Sequence, residues 1–323
     1  MILTVYQERL ILLIFLAVVI NTIITGTASA GTETLITTNA STSSQRFPAI
    51  SGDWIVWVDN RNDNLEVNYY TDIFAYNVVT GEEKQITPPA SYADHPSISG
   101  TKIVYEDWRD DDPDTDIYLY DLDTDTETRI TDYPDYQQFP SISGNRIVWQ
   151  NNLDYGDSTT VPDVFLREIG TITDSLLTPD TATSSQAYPA ISGSKVIWED
   201  MDDGNVYMND TSTRITYLLS PDGATFDDQD LSTIAIDNGL VVWQETNSKN
   251  IFLNDTTTWD QKTVNRPEGG NPKKYPSISG TNVTWIETRL GSTDIYLNDL
   301  MTEADDVRIT TNDASFNLID GSP

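Results

Sequence analysis

The chain has 323 residues, with 51 Asp and Glu against 18 Lys and Arg, for a formal charge of −33. That balance excludes the basic face a nucleic-acid partner needs, and it repels an anionic membrane surface. With 38% apolar and 10% aromatic residues the chain can bury a sizeable core, and the lack of cysteine removes disulfides and thiolate chemistry.

Residues 1–30 carry Arg9 ahead of an apolar run from Leu10 to Ile20, then small and polar residues ending Ala28-Ser29-Ala30. This is the pattern of a secretory signal peptide cut near Ala30. Because Ile23 and Ile24 lengthen the run towards a spanning length, a retained anchor stays open as the alternative. Residues 31–323 then read as one domain. The expected location is secreted, cell-surface or periplasmic.

From residue 46 onward one phrase recurs. "FPAISG", "HPSISG", "FPSISG", "YPAISG" and "YPSISG" each precede a short run ending in an aromatic. That aromatic falls at Trp57, Tyr105, Trp149, Trp198, Trp243 and Trp285, in steps of 48, 44, 49, 45 and 42 residues. The units lie near 46–87, 94–131, 138–178, 187–216, 232–264 and 274–310.

Each unit reads as four strands. The aromatic-Pro segment is the first. The second, such as Ile55-Val56-Trp57, is apolar at consecutive positions and must bury both faces. The third alternates after an acid or amide at Asp72, Asp116, Asp163, Asn205, Asn250 or Asp294, a short side chain suited to bonding backbone at a strand entry. The fourth is brief, as in Arg129-Ile130-Thr131.

Periods of this length built from short strands predict an all-β six-bladed β-propeller of four-stranded blades. "ETLITT" (33–38) resembles a fourth strand ahead of blade 1, and "FNLIDG" (316–321) a first strand after blade 6. Either could lock the ring by pairing across the ends. A seven-bladed form, or an incomplete seventh blade, is the alternative.

Units of the form P-x-x-S-G-x-x-I-x-W…R…D-I-Y-x-x-D…R-I-T resemble the repeats of TolB-type propellers, over nearly all of residues 33–321. The resemblance implies an extracytoplasmic propeller that binds a partner at one face. The N-terminal domain of TolB proteins has no counterpart between the leader and the repeats.

His95 is the single histidine, so a Ser-His-Asp triad would have to use it. Its repeat position, shared with Phe47, Phe139, Tyr188, Thr233 and Tyr275, marks it instead as a structural ring near the channel mouth.

In the acidic loop 107–116, Asp110, Asp112, Asp114 and Asp116 alternate as hard oxygen donors of the kind calcium prefers, against the plainer reading of a solvated loop. Asn39 is the best glycosylation acceptor among four sequons.

The loops between second and third strands are longest in blades 1–3, at 60–71, 108–115 and 152–162. Long loops on a rigid scaffold are where binding specificity is built. Arg61, Tyr69, Tyr70, Trp108, Arg109 and Tyr155 are the ligand-binding candidates there.

The function expected is a non-catalytic binding or scaffold module, acting as a monomer on an extracellular or envelope protein or glycan, without a cofactor unless calcium binds. The alternatives are a carbohydrate-active enzyme, a glycosidase or lyase using loop carboxylates, and a structural cell-surface subunit.

Overall fold

The computed structural model describes residues 36–310, apart from 38–42, 64–69, 90, 110–113, 133, 153–160, 179–183, 221–232, 246–247, 265–270, 290–291 and 303–305. Its strands form six antiparallel sheets of four, each in the order first, second, third, fourth. The fold is a six-bladed β-propeller.

Blade 1 holds β1 (Gln45–Ser51), β2 (Trp54–Asp59), β3 (Asp72–Asn77) and β4 (Glu83–Gln85). Blade 2 holds β5 (Asp94–Ser99), β6 (Lys102–Asp107), β7 (Asp116–Asp121) and β8 (Thr126–Arg129). Blade 3 holds β9 (Tyr136–Ser143), β10 (Arg146–Asn152), β11 (Asp163–Glu168) and β12 (Ser175–Leu176). Blade 4 holds β13 (Gln186–Ser192), β14 (Lys195–Asp200), β15 (Asn205–Asp210) and β16 (Ile215–Leu218). Blade 5 holds β17 (Ile234–Asp237), β18 (Leu240–Glu245), β19 (Asn250–Asp255) and β20 (Asp260–Thr263). Blade 6 holds β21 (Lys273–Ser279), β22 (Asn282–Arg289), β23 (Ser292–Asp299) and β24 (Val307–Arg308).

The described residues up to Gly144 make one compact unit and those from Asn145 onward a second. No helix among the described residues is long and apolar enough to cross a membrane. The leader, Asn39 and the 316–321 segment lie outside the described residues.

In the first unit, alternate side chains of β2 go to opposite faces, as the pleat requires. Ile55 and Trp57 pack with Phe74 and Ile36 on one face. Val56 and Val58 meet Ile103, Tyr105, Tyr118 and Tyr120 of blade 2 on the other. Ile36, from the "LIT" phrase ahead of blade 1, is part of that buried cluster.

In the second unit the same arrangement joins Val148 and Val164 to Val196 and Trp198, and Ile197 and Met208 to Val241 and Trp243. All six registering aromatics are buried. Each stacks on the residue opposite it in the third strand, from Trp57 on Phe74 to Trp285 on Tyr296.

In five blades the acid or amide at the entry of the third strand accepts a bond from a hydroxyl just after the fourth. Thr131 Oγ1 donates to Asp116 Oδ1 at 3.1 Å and accepts the Ile117 amide at 2.8 Å. The clasp recurs with Thr87 on Asp72, Thr178 on Asp163, Ser220 on Asn205 and Thr310 on Asp294. It explains why Ile-Thr or its equivalent follows the short fourth strand in these blades.

Neighbouring blades are tied at their Ser-Gly turns. Gly100 N donates to Ser51 Oγ, and Gly144 N to Ser99 Oγ, each at 2.9 Å. In the second unit Asn238 N donates to Ser192 Oγ and Gly280 N to Asp237 Oδ2. Gly100 and Gly144 have φ of +62° and +58°, the left-handed region that glycine enters without steric cost.

Candidate functional site

Five first strands contain an aromatic residue or His followed by Pro, and proline has no N–H for the ladder. Each accommodates it with left-handed backbone at the preceding residue: φ is 50° at Phe47, 48° at His95, 52° at Phe139, 53° at Tyr188 and 55° at Tyr275. Strand pairing skips one residue there, as between Arg46 and Ala49 or Asp94 and Ser97, which is a β-bulge. Bulky side chains at positive φ are strained, and such strain collects at functional sites. Blade 5, with Thr233-Ile234 in place of aromatic-Pro, pairs without a shift.

The bulge also takes the aromatic's own amide out of the ladder. Phe139 N donates to Glu106 Oε2 at 2.7 Å, across from blade 2 to the first strand of blade 3. In the second unit Tyr188 N donates to Gln150 Oε1 at 3.2 Å. Glu106, Gln150 and Glu199 all sit one residue after a registering aromatic. These are buried polar residues that directly follow the apolar run of the second strand.

In the first unit this geometry assembles a site. Phe47, His95 and Phe139 form a row, with ring centroids 4.4 Å and 4.6 Å apart. His95 Nδ1 lies 3.1 Å from Glu106 Oε1 and 3.8 Å from Asp94 Oδ1, charge contacts whose alignment falls short of a hydrogen bond. Asp94 Oδ2 in turn pairs with Arg46 at 2.5 Å, and the Arg46 guanidinium lies over Phe47. Burial opposes charge on His95, but Glu106 and then Asp94 outweigh it, so its pKa stands above the ordinary imidazole value. Nε2 of His95 is buried without a hydrogen-bond partner. The imidazole therefore contacts acids, where a nucleophile–base pair would need a hydroxyl at its nitrogen.

Glu199 occupies the same register position in blade 4 and differs in consequence. Burial raises its pKa to about 7, against the opposing hydroxyl and amide of Thr233. Thr233 replaces the ring here, and its hydroxyl donates to Glu199 Oε1.

Arg61 and Arg109 belong to the blades' own ion-pair network. Arg61 pairs with Asp59 and Glu83, each at 2.6 Å, and lies 4.0 Å from the Phe74 ring centroid. Arg109 pairs with Asp107 and Glu127, each at 2.7 Å, above Tyr118. Arg289 repeats the motif on Glu287, Asp306 and Tyr296. Every guanidinium nitrogen of Arg61 and Arg109 donates to these blades.

Trp108 is 44% exposed, and Tyr70 packs against Tyr92 at 4.8 Å. Tyr69, Tyr155, Asp110 and Asp112 lie outside the described residues. Asp114 is half-buried, while Asp116 carries Arg129 on one oxygen and Thr131 on the other. Among the described residues no group of three or more acids and His is placed to hold a metal ion.

Sequence reasoning overlooked the Glu106–Phe139 bond and the Arg46–Asp94 pair. The signal for the first was present, as an acid at the centre of a strand buried on both faces.

The chain resembles several solved structures. It superimposes on a prolyl endopeptidase with a TM-score of 0.62 at 13% identity, covering 84% of this chain and 42% of that one. Pyrococcus horikoshii acylaminoacyl peptidase gives 0.60 at 14%, covering 84% and 46%. TolB from Acinetobacter baumannii gives 0.52 at 17%, covering 78% and 63%. The chain carries the propeller fold of TolB. It spans less than two thirds of each of these chains. No family model matches the sequence, and no curated protein does.

Proposed function

We propose that the protein is an extracytoplasmic propeller that binds a protein or glycan without catalysis, using the loop end of its first blades. The observation that carries this reading is the row Phe47, His95 and Phe139, held at left-handed φ above the buried Glu106. Within each blade these rings lie at the same sheet end as the long loops, since Gln45, Asp59 and Asp72 are opposed in register there. Exposed Trp108 and the Tyr70–Tyr92 pair extend the aromatic surface at that end. Aromatic rings among acids suit sugar faces and protein surfaces alike. The leader-like first 30 residues support an extracytoplasmic location.

The test is a glycan array and a panel of envelope proteins, followed by calorimetry on any hit. Trp108→Ala and Phe139→Ala should each weaken binding with the fold intact. Hits that both variants bind as the parent does would overturn this site.

A carbohydrate-active enzyme is the second reading, and one feature favours it. Burial raises the Glu199 pKa to about 7, into the range that suits a general acid. Release of reducing ends from an array hit, abolished by Glu199→Gln, would decide for it.

A further inference from the structure

We propose that the partner is a basic polypeptide segment, one of whose Lys or Arg side chains is received by Tyr70, Tyr92 and Asp63. This rests on the loop end of the first blades being the binding surface, and it names the chemistry that surface selects.

The backbone sets the site. Thr71, just ahead of β3, bridges in parallel to Tyr92, just ahead of β5. The Thr71 amide donates to the Ser91 carbonyl at 3.1 Å, and the Ala93 amide to the Thr71 carbonyl at 3.0 Å. Tyr70 and Tyr92 are thereby held side by side and half-buried, with ring centroids 4.8 Å apart and planes tilted by 46°. Asp63 stands close enough to act on the pair: desolvation, then Tyr70, then Asp63 raise the Tyr92 pKa.

Asp63 is the unsatisfied group. Its Oδ1 is shielded from water and accepts no hydrogen bond, which costs free energy until a donor arrives. The neighbouring donors are already committed. Arg61 gives its guanidinium nitrogens to Asp59 and Glu83, and Asn62 Nδ2 donates to Asp72 at 2.7 Å. An open carboxylate beside two aromatic rings suits an ammonium or guanidinium, because ring face and oxygen attract the same charge.

Charge complementarity makes the occupant a polypeptide. The −33 of the chain attracts a multiply charged partner from a distance, and Arg61 and Arg109 are spent within the blades. A segment with several Lys or Arg gains from both the field and the site. A single amine or a neutral glycan gains from the site alone.

Calorimetry of the purified protein with a synthetic peptide of alternating Lys and Ser tests this. The peptide should bind, more weakly as NaCl rises, and its acetyl-lysine version should not. Asp63→Asn and Tyr92→Leu should each weaken binding by roughly tenfold or more. The melting temperature of Asp63→Asn should hold, which separates lost contact from lost fold. Glu82 is exposed in the β3–β4 hairpin, at the other end of the same sheet, so Glu82→Gln should change nothing. Equal losses in Asp63→Asn and Glu82→Gln would show diffuse attraction and overturn the site, as would binding of the acetylated peptide. A glycan held through Trp108 and Phe139, with the Lys peptide ignored, would overturn the basic partner and leave the loop end as the binding surface. A Lys peptide that needs Asp63 but is indifferent to Trp108→Ala and Phe139→Ala would support this site and defeat the ring row.

Discussion

Glu106 divides its two oxygens between blades: Oε2 accepts the Phe139 amide at 2.7 Å, and Oε1 faces His95 Nδ1 at 3.1 Å. One carboxylate therefore supports a strained bulge in one blade and a half-buried imidazole in another. Charge on the imidazole bears directly on the packing of the ring row.

A folded-state pKa above the unfolded one means that His95 contributes stability that is fully present below about pH 6.5. That stability is lost as pH rises through the folded value. The groups facing the imidazole are Glu106 and Asp94, which favour its charge, and Arg46, which opposes it. The melting temperature should fall as pH rises above about 6.5, and His95→Phe should flatten this part of the profile. An unchanged slope in His95→Phe would show that the imidazole does not titrate there.

Glu199 adds a slope of the same sign for the opposite reason. Its pKa of about 7 lies above the unfolded value, so the folded state binds the extra proton, and stability falls as pH climbs from about 4.5 to 7. Gln150 and Gln244 fill this position in blades 3 and 5. Glu199→Gln should be near neutral at pH 4.5 and stabilise by on the order of 1–3 kcal/mol at pH 8. Denaturant melts at the two pH values measure the difference.

Trp149 is wholly buried and stacks on Phe165. Trp149→Ala should cost roughly 3–5 kcal/mol, read from the shift in denaturation midpoint at unchanged slope. A cost below about 1 kcal/mol would contradict its burial.

The Thr131–Asp116 clasp should be worth about 1–2 kcal/mol, because Thr131→Val leaves the Ile117 amide and an Asp116 oxygen unpaired in the interior. A double-mutant cycle with Asp116→Asn should show coupling between the two positions. Strictly additive effects would mean that the contact contributes nothing.

Calcium makes a separate test. Asp116 is engaged by Arg129 and Thr131, which leaves Asp110, Asp112 and Asp114 as the acids for an ion in that loop. Thermal melts in millimolar Ca²⁺ and Mg²⁺ at matched ionic strength should shift equally, by screening alone. A Ca²⁺ excess removed by Asp112→Ala would establish the site instead.

Strand order was legible in the sequence because it follows from spacing. Trp57, Trp149 and Trp285 had to be buried, and runs such as Ile55-Val56-Trp57 could be satisfied only between two layers. Asp116 was recognisable as a strand entry, yet its partner was not: Thr131 lies fifteen residues on, and only the closed hairpin brings them together. The ion pairs of Arg61 and Arg109 were not legible, because Glu83 and Glu127 sit across two strands from them. The sign of φ at Phe47 left no trace in composition, since proline disfavours several conformations of the residue before it without naming the left-handed one.

The Ser-Gly ties bear on how the number of blades can change. Ser51 accepts from Gly100 and Ser99 from Gly144, so each unit carries one donor and one acceptor drawn from the same few residues. A duplicated unit spliced in tandem would arrive with both halves of its linkage and would need no compensating change in its neighbours. Blade 5 has exchanged both parts, using Asn238 as donor and Asp237 as acceptor, and remains joined on either side. The tie at this turn therefore requires a backbone shape and a donor–acceptor pair, and does not require serine and glycine themselves.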